Sequence, residues 1–265
     1  MPSQTVNGLS IYYEEQGRGE PLVLLNGLAF PHDLWFAQIE DLSQDFRVIA
    51  IDNRGIGRSD KPDEPYSVLQ MASDTVGLLS ALGIAKAHFA GLSMGGFIAQ
   101  EIALGHPEKV HRLILIATSM GGVRSRELGK PFWDRVFADV KGKTAEEIYR
   151  LDLTMMTAPG FAESSPEILE KAVSLRLRHV QPFHAFMRQQ QACAGFDSYG
   201  RASRIAHPTL IILGEADPIF PIALAEDFRR TLPAAEMIVY KNCGHAVHLE
   251  KPRQLSSDIR GFLKS

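Results

Sequence analysis

The sequence predicts an α/β fold: a mostly parallel sheet with helices on both faces, interrupted by an all-helical insertion. Three observations carry that expectation. Uninterrupted apolar runs, such as Pro21–Leu25, Phe46–Ile51, Val110–Ala117 and Pro208–Leu213, fit strands buried on both faces. Helical segments lie between these runs, and regular alternation of the two specifies β-α-β crossovers. From Gly121 to Ile205 the alternation stops and only helical periodicity is found.

Composition narrows the class. The chain has 265 residues, enough for one large domain or a domain with an insertion. Its 45% hydrophobic and 22% charged residues are ordinary for a globular protein. A formal net charge of -3 gives no electrostatic case for nucleic acid or an anionic membrane surface. Two cysteines, Cys193 and Cys243, make no disulfide framework, so a reducing, cytoplasmic setting is expected. Met1–Gln16 has no basic segment followed by an apolar run, and no secretory leader is expected. No apolar stretch approaches the roughly 20 residues of a membrane span. Nothing in the sequence specifies an oligomeric state.

In chain order, Thr5–Tyr13 reads as a hairpin turning at Asn7-Gly8. The Pro21–Leu25 strand leads to Asn26-Gly27, and Asp33–Leu42 reads as a helix capped by Asp33. After the Phe46–Ile51 strand comes the loop Asp52–Asp60, then a helix over Val68–Leu82 stopped by Gly83. A short strand at Ala87–Ala90 runs into Gly91-Leu92-Ser93-Met94-Gly95 and a further helix. Within the insertion, helices are expected over Glu127–Val140, Ala145–Thr157, Pro166–His179 and Phe183–Ala194. The α/β rhythm then resumes, with a helix over Ile222–Thr231, a strand over Met237–Tyr240 and a closing helix over Pro252–Leu263. The expected division is a core of residues 1–120 and 206–265, with residues 121–205 inserted in it.

In open parallel sheets, ligands bind beyond the carboxyl ends of the strands. Ser93 follows the central strand there, Asp217 follows Pro208–Leu213, and His245 follows Met237–Tyr240. Each residue type has a chemical reason to be present. A serine hydroxyl is a poor nucleophile and requires a nearby base. Imidazole titrates near neutrality, and a buried carboxylate on its far nitrogen fixes the tautomer. Read alone, G-x-S-x-G at Gly91–Gly95 is as readily a glycine-rich turn with a solvated serine. The order Ser, Asp, His along one sheet edge gives it weight.

This arrangement resembles the α/β-hydrolase family over about Leu22 to Phe262. The resemblance rests on Gly91-Leu92-Ser93-Met94-Gly95, on Asp52-x-Arg54-Gly55-x-Gly57-x-Ser59, on Gly214-x-x-Asp217, and on Gly244-His245 followed by Leu249-Glu250-Lys251-Pro252. It implies an eight-stranded core sheet and a helical cap at 121–205. It further implies Ser93 as nucleophile, His245 as base and Asp217 as acid, with the backbone N–H groups of Leu28 and Met94 receiving an oxyanion. Many relatives carry His-Gly where this chain has Asn26-Gly27. Some lactone-cleaving relatives have Asn there, a weak pointer to lactones.

Rival positions are few. His248 competes with His245 and is expected as a packing residue; Glu215 competes with Asp217. Ser59 and Ser119 are expected as loop or cap hydroxyls. After the Val110–Ala117 strand stand Thr118-Ser119-Met120, so the acid position used by some relatives holds no acid. Asp52 and Arg54 are expected to tie loops together. Phe30, Trp35, Phe220 and Val247, with Leu28, flank the catalytic positions and are expected to line a pocket. The large apolar residues of the insertion are expected as ordinary core. Arg176, Arg178 and Arg188 offer a site for an anionic substrate group, but acidic residues are equally frequent nearby and a solvated helix face is expected instead. No cofactor is implied, and no Cys/His cluster or H-E-x-x-H spacing suggests a metal.

The expected activity is hydrolysis of a carboxylic ester or lactone with an apolar part. The same triad also serves carbon–carbon bond hydrolysis and cofactor-free perhydrolysis in relatives. A non-catalytic small-molecule receptor is the alternative of a different class.

Overall fold

A computed structural model describes residues 2–265. Strands β1 (Ser3–Val6) and β2 (Leu9–Gln16) form an antiparallel hairpin. Its turn is Asn7-Gly8, both at positive φ (52° and 79°), the geometry that follows strand twist. Then come β3 (Pro21–Leu25), α1 (Phe36–Leu42), β4 (Arg47–Ile51), α2 (Val68–Ala81), β5 (Ala87–Leu92), α3 (Met94–Gly105) and β6 (Val110–Ile116). Helices alone follow: α4 (Gly122–Asp139), α5 (Ala145–Met156), α6 (Phe161–Ser164), α7 (Pro166–Leu177) and α8 (Phe183–Gly195). The chain closes with β7 (Thr209–Gly214), α9 (Ala225–Thr231), β8 (Glu236–Tyr240), α10 (Val247–Glu250) and α11 (Pro252–Lys264).

The strands make one eight-stranded sheet in the order β1-β2-β4-β3-β5-β6-β7-β8. Only the pairings of β2 with β1 and β4 are antiparallel. From β3 the chain steps outward to β4 and then returns across β3 to β5. The sheet therefore changes winding direction between β3 and β5, where open sheets leave a crevice.

The apolar runs divide their side chains between two cores, as the two-residue strand period requires. Leu22, Leu24, Ile114, Ile116, Leu210 and Ile212 pack on one face beneath the helical insertion and α11. Val23, Leu25, Phe89, Leu113, Leu115 and Ile211 pack on the other face against α2 and α3.

Helix boundaries show where local signals were overridden. The segment expected to start an α-helix at Asp33 opens instead as a 3₁₀ turn, His32–Trp35, and the α-helix begins at Phe36. Asp33 makes no cap hydrogen bond. Asp52 Oδ1 holds His32 at both its backbone N (2.7 Å) and Nδ1 (3.0 Å), fixing the entry to this segment. Helix α4 starts five residues before the expected Glu127 and runs through Pro131. By contrast, α5 begins where expected, because Thr144 and Glu147 form a capping box.

Candidate active site

Ser93 stands between the end of β5 and the first turn of α3. Its backbone has φ 55° and ψ -117°, a conformation that costs a non-glycine residue about 1–3 kcal/mol. The surroundings hold it there. Ser93 N donates to Ile116 O (2.9 Å), and Ser93 O accepts from Thr118 Oγ1 (2.8 Å) and Gly96 N (2.9 Å). The flanking glycines are needed for space. A Cβ on Gly91 would overlap the Gly95 carbonyl oxygen, and one on Gly95 the Leu25 carbonyl oxygen. Strand, helix and the end of β3 thus converge around the serine.

His245 and Asp217 lie in the loops after β8 and β7. Asp217 Oδ2 is 2.8 Å from His245 Nδ1, and both residues are buried. Asp217 Oδ1 accepts from the N–H groups of Ile219 (2.8 Å) and Phe220 (2.9 Å), which fixes the carboxylate's orientation. The carboxylate places the imidazole proton on Nδ1 and leaves Nε2 as an acceptor. Among the described residues no hydrogen bond joins Ser93 Oγ to Nε2; such contacts tighten when substrate binds.

The rivals stand elsewhere. Glu215 is exposed and accepts from Asn242 N (3.3 Å). His248 is buried between the Trp35 and Phe30 rings, with centroids at 5.1 and 5.8 Å, and neither ring nitrogen has a partner. Burial, with a smaller contribution from nearby His245, pushes its pKa down to about 3, so it stays neutral. Thr118 bonds to Ser93, and Ser119 takes a 2.8 Å hydrogen bond from Ser125.

The loop after β3 completes the site. Asn26 is fully buried, its Nδ2 donating to Pro31 O (2.7 Å), and Asn53 Nδ2 donates to Asn26 O (3.1 Å). Ala29 has φ 61°, and its N–H donates to Gln189 Oε1 (3.1 Å) on α8. The N–H groups of Leu28 and Met94 have no acceptor among the described residues.

The insertion is tied to the His245 loop as well. His245 N donates to Met156 O (2.7 Å) at the end of α5. The Glu250 carboxylate accepts from Gly244 N (3.0 Å) and, on the insertion, from Ala158 N (2.9 Å). Burial raises the Glu250 pKa against the opposing effect of these donors.

Ser93 and His245 open onto a cavity of about 260 Å³ between these loops and the insertion. That lies just below the ~300 Å³ at which ordinary small-ligand pockets begin. Its wall is mainly apolar, with Leu28 and Phe30 from the core and Phe132, Trp133 and Phe186 from the insertion. No three His, Cys, Asp or Glu side chains group to hold a metal among the described residues.

A family model described as the alpha/beta hydrolase fold matches residues 20–252. The chain belongs to the α/β-hydrolase family. Among similar family members is the AB hydrolase superfamily protein YisY of Bacillus subtilis, 30% identical, covering 99% of this chain and 98% of that protein. The 3-oxoadipate enol-lactonase 2 of Acinetobacter baylyi is 27% identical, covering 98% of this chain and 95% of that one. The solved structure of the enol-lactonase from Burkholderia xenovorans superposes with a TM-score of 0.88 at 25% identity, covering 100% of both chains.

Within this α/β-hydrolase site, the positions expected from sequence are not all on the cavity wall. Ser93, His245, Leu28 and Phe30 are. Trp35 and Val247 are not: both are fully buried in the core, and Trp35 backs onto His248. Phe220 stands beside the His245 ring (5.6 Å between centroids) and against Phe97, off the wall. Of the apolar insertion residues expected as ordinary core, Phe132 and Met156 do pack in the core and also face the cavity, and with Trp133, Phe137, Phe183 and Phe186 they supply much of its wall.

Arg176 departs furthest from expectation. It is not on a solvated face; it is 3% exposed and lines the cavity. The sequence did carry a signal for this. Arg176 falls on the helical stripe Leu169, Ala172 and Val173, all buried.

Proposed function

We propose that this chain is a serine hydrolase that cleaves a carboxylic ester or lactone bearing an apolar moiety. The observation that carries the reading is His245, held by Asp217 (2.8 Å), sharing one mainly apolar cavity with Ser93 on its strained turn. Ser93 Oγ attacks the substrate carbonyl as His245 Nε2 accepts its proton. Asp217 holds the ring and stabilises the imidazolium. The N–H groups of Leu28 and Met94 receive the oxyanion, and Met94 N also sits at the positive end of the α3 dipole. His245 returns the proton to the leaving alcohol, then activates water to release the acid. Residues 121–205 serve as a cap over the core of residues 1–120 and 206–265. Similarity to two enol-lactonases supports including lactones among the substrates.

Ser93→Ala is expected to lower p-nitrophenyl butyrate hydrolysis at least about a thousandfold while leaving the fold intact. A fluorophosphonate probe should label Ser93 in the parent protein. Survival of a tenth of the parent activity would overturn the mechanism.

A further inference from the structure

Arg176 is a cation with almost no access to water in a mainly apolar chamber, and its surroundings account for only part of it. Nη1 donates to Asp152 Oδ2 (2.8 Å). The guanidinium carbon lies 4.0 Å over the centroid of the Tyr149 ring and 5.1 Å from that of Phe30. The rings occupy the faces and Asp152 takes one end. What remains is the edge carrying Nε and Nη2, neither of which has a hydrogen-bond acceptor among the described residues. Leaving a buried charged donor unpaired costs more than the roughly 1–3 kcal/mol of a neutral one. Two parallel N–H groups in one plane are the arrangement that grips a carboxylate with two hydrogen bonds.

Asp152 does not cancel this preference. Its side chain is 18% exposed against 3% for Arg176, so water screens the acid better than the base. The pair also bridges α5 and α7, which fixes the guanidinium's direction.

We propose that the Nε/Nη2 edge of Arg176 is a carboxylate subsite, and that the substrate is an ester or lactone carrying a free carboxylate away from the scissile bond. The assignment rests on the serine-hydrolase reading only for the scissile group. The reacting carbonyl sits at Ser93, the apolar spacer lies along the aromatic wall, and the anion meets Arg176.

The test separates the two readings. Calorimetry on S93A protein compares monomethyl adipate with methyl hexanoate, which match in chain length and differ in the terminal carboxylate. The adipate monoester should bind at least about tenfold more tightly, and R176M should abolish that ratio. D152N, which removes a like charge near the subsite, should raise it. In the parent protein, the 4-nitrophenyl monoester of adipate should likewise exceed 4-nitrophenyl hexanoate in kcat/KM, mostly through KM. Equal binding of the two methyl esters overturns the subsite, as does R176M weakening both alike. If R176M fails to fold by circular dichroism, D152N decides: an unchanged or lower ratio overturns the proposal. Absence of turnover with intact discrimination in binding overturns the Ser93 mechanism instead.

Discussion

His248 stands three residues from His245, and their environments separate their chemistry. Asp217 gives His245 a partner for Nδ1, whereas His248 is enclosed by rings and has none. With its pKa held near 3 in the fold, His248 takes a proton only on unfolding once the pH drops below its ordinary value of 6.5. In that window the unfolded chain binds more protons, so stability rises with pH and falls on acidification. The loss approaches 1.4 kcal/mol per pH unit from this residue alone. His248→Leu, which strands no hydrogen bond, should flatten the decline of Tm between about pH 6.5 and 4.5. Parallel Tm curves for parent and variant would assign the acid sensitivity elsewhere. At this scale the sequence was legible where chemistry is local. Ser93, Asp217 and His245 each follow a strand end, and each position is set by a short motif. Trp35 and Val247 were misplaced because adjacency in sequence does not say which way a side chain turns. Arg176 could have been placed by its helical stripe, but a charged residue type argued for the surface.

The elements that carry the site are short segments held by backbone hydrogen bonds. The G-x-S-x-G turn was readable because its glycines answer a local steric need. The alternating strands were readable because burial on both faces leaves an unbroken apolar run. Helix starts were less so: Asp33 has the composition of a cap, but the distant Asp52 decides the geometry. Glu250 shows the same dependence on long-range partners. Its one carboxylate satisfies Gly244 N in the His245 loop and Ala158 N in the insertion. Glu250→Ala would leave both N–H groups without an acceptor and should cost about 2–3 kcal/mol in denaturant titration. Ester kcat/KM should fall with it, because His245 follows Gly244 directly. Unchanged stability would show that other groups anchor this loop.

The whole molecule is a sheet domain with a chamber built between its strand ends and the helical insertion. No helix among the described residues is long and apolar enough to cross a membrane. The eight strands were expected by resemblance, and the helical stretch of the insertion was expected from the break in strand alternation. The chamber's shape was not, because it depends on how five helices pack across the strand ends. At its edge, Phe137, Val180 and Phe183 are exposed yet belong to the wall. Phe183, 75% exposed, contributes little to the core. Phe183→Ser should keep stability within about 0.5 kcal/mol while raising KM for long-chain apolar esters several-fold. Altered stability with unchanged KM would make it a packing residue.

The hydrogen bonds from Ala29 N to Gln189, from His245 N to Met156 O and from Ala158 N to Glu250 tie the insertion to the core and have a thermodynamic consequence. One body of helices touches both the loop after β3 and the His245 loop. Any displacement of these helices would therefore break hydrogen bonds on two sides of Ser93 at once. If Ser93 and His245 act as proposed, displacement of these helices and turnover lie on a single coordinate, in opposite directions. By reciprocity, a ligand that favours the seated insertion raises the fraction of competent sites by the same free energy. On the proposed function, a ligand too small to hold the insertion seated would forgo that contribution, so selectivity would reach kcat as well as KM.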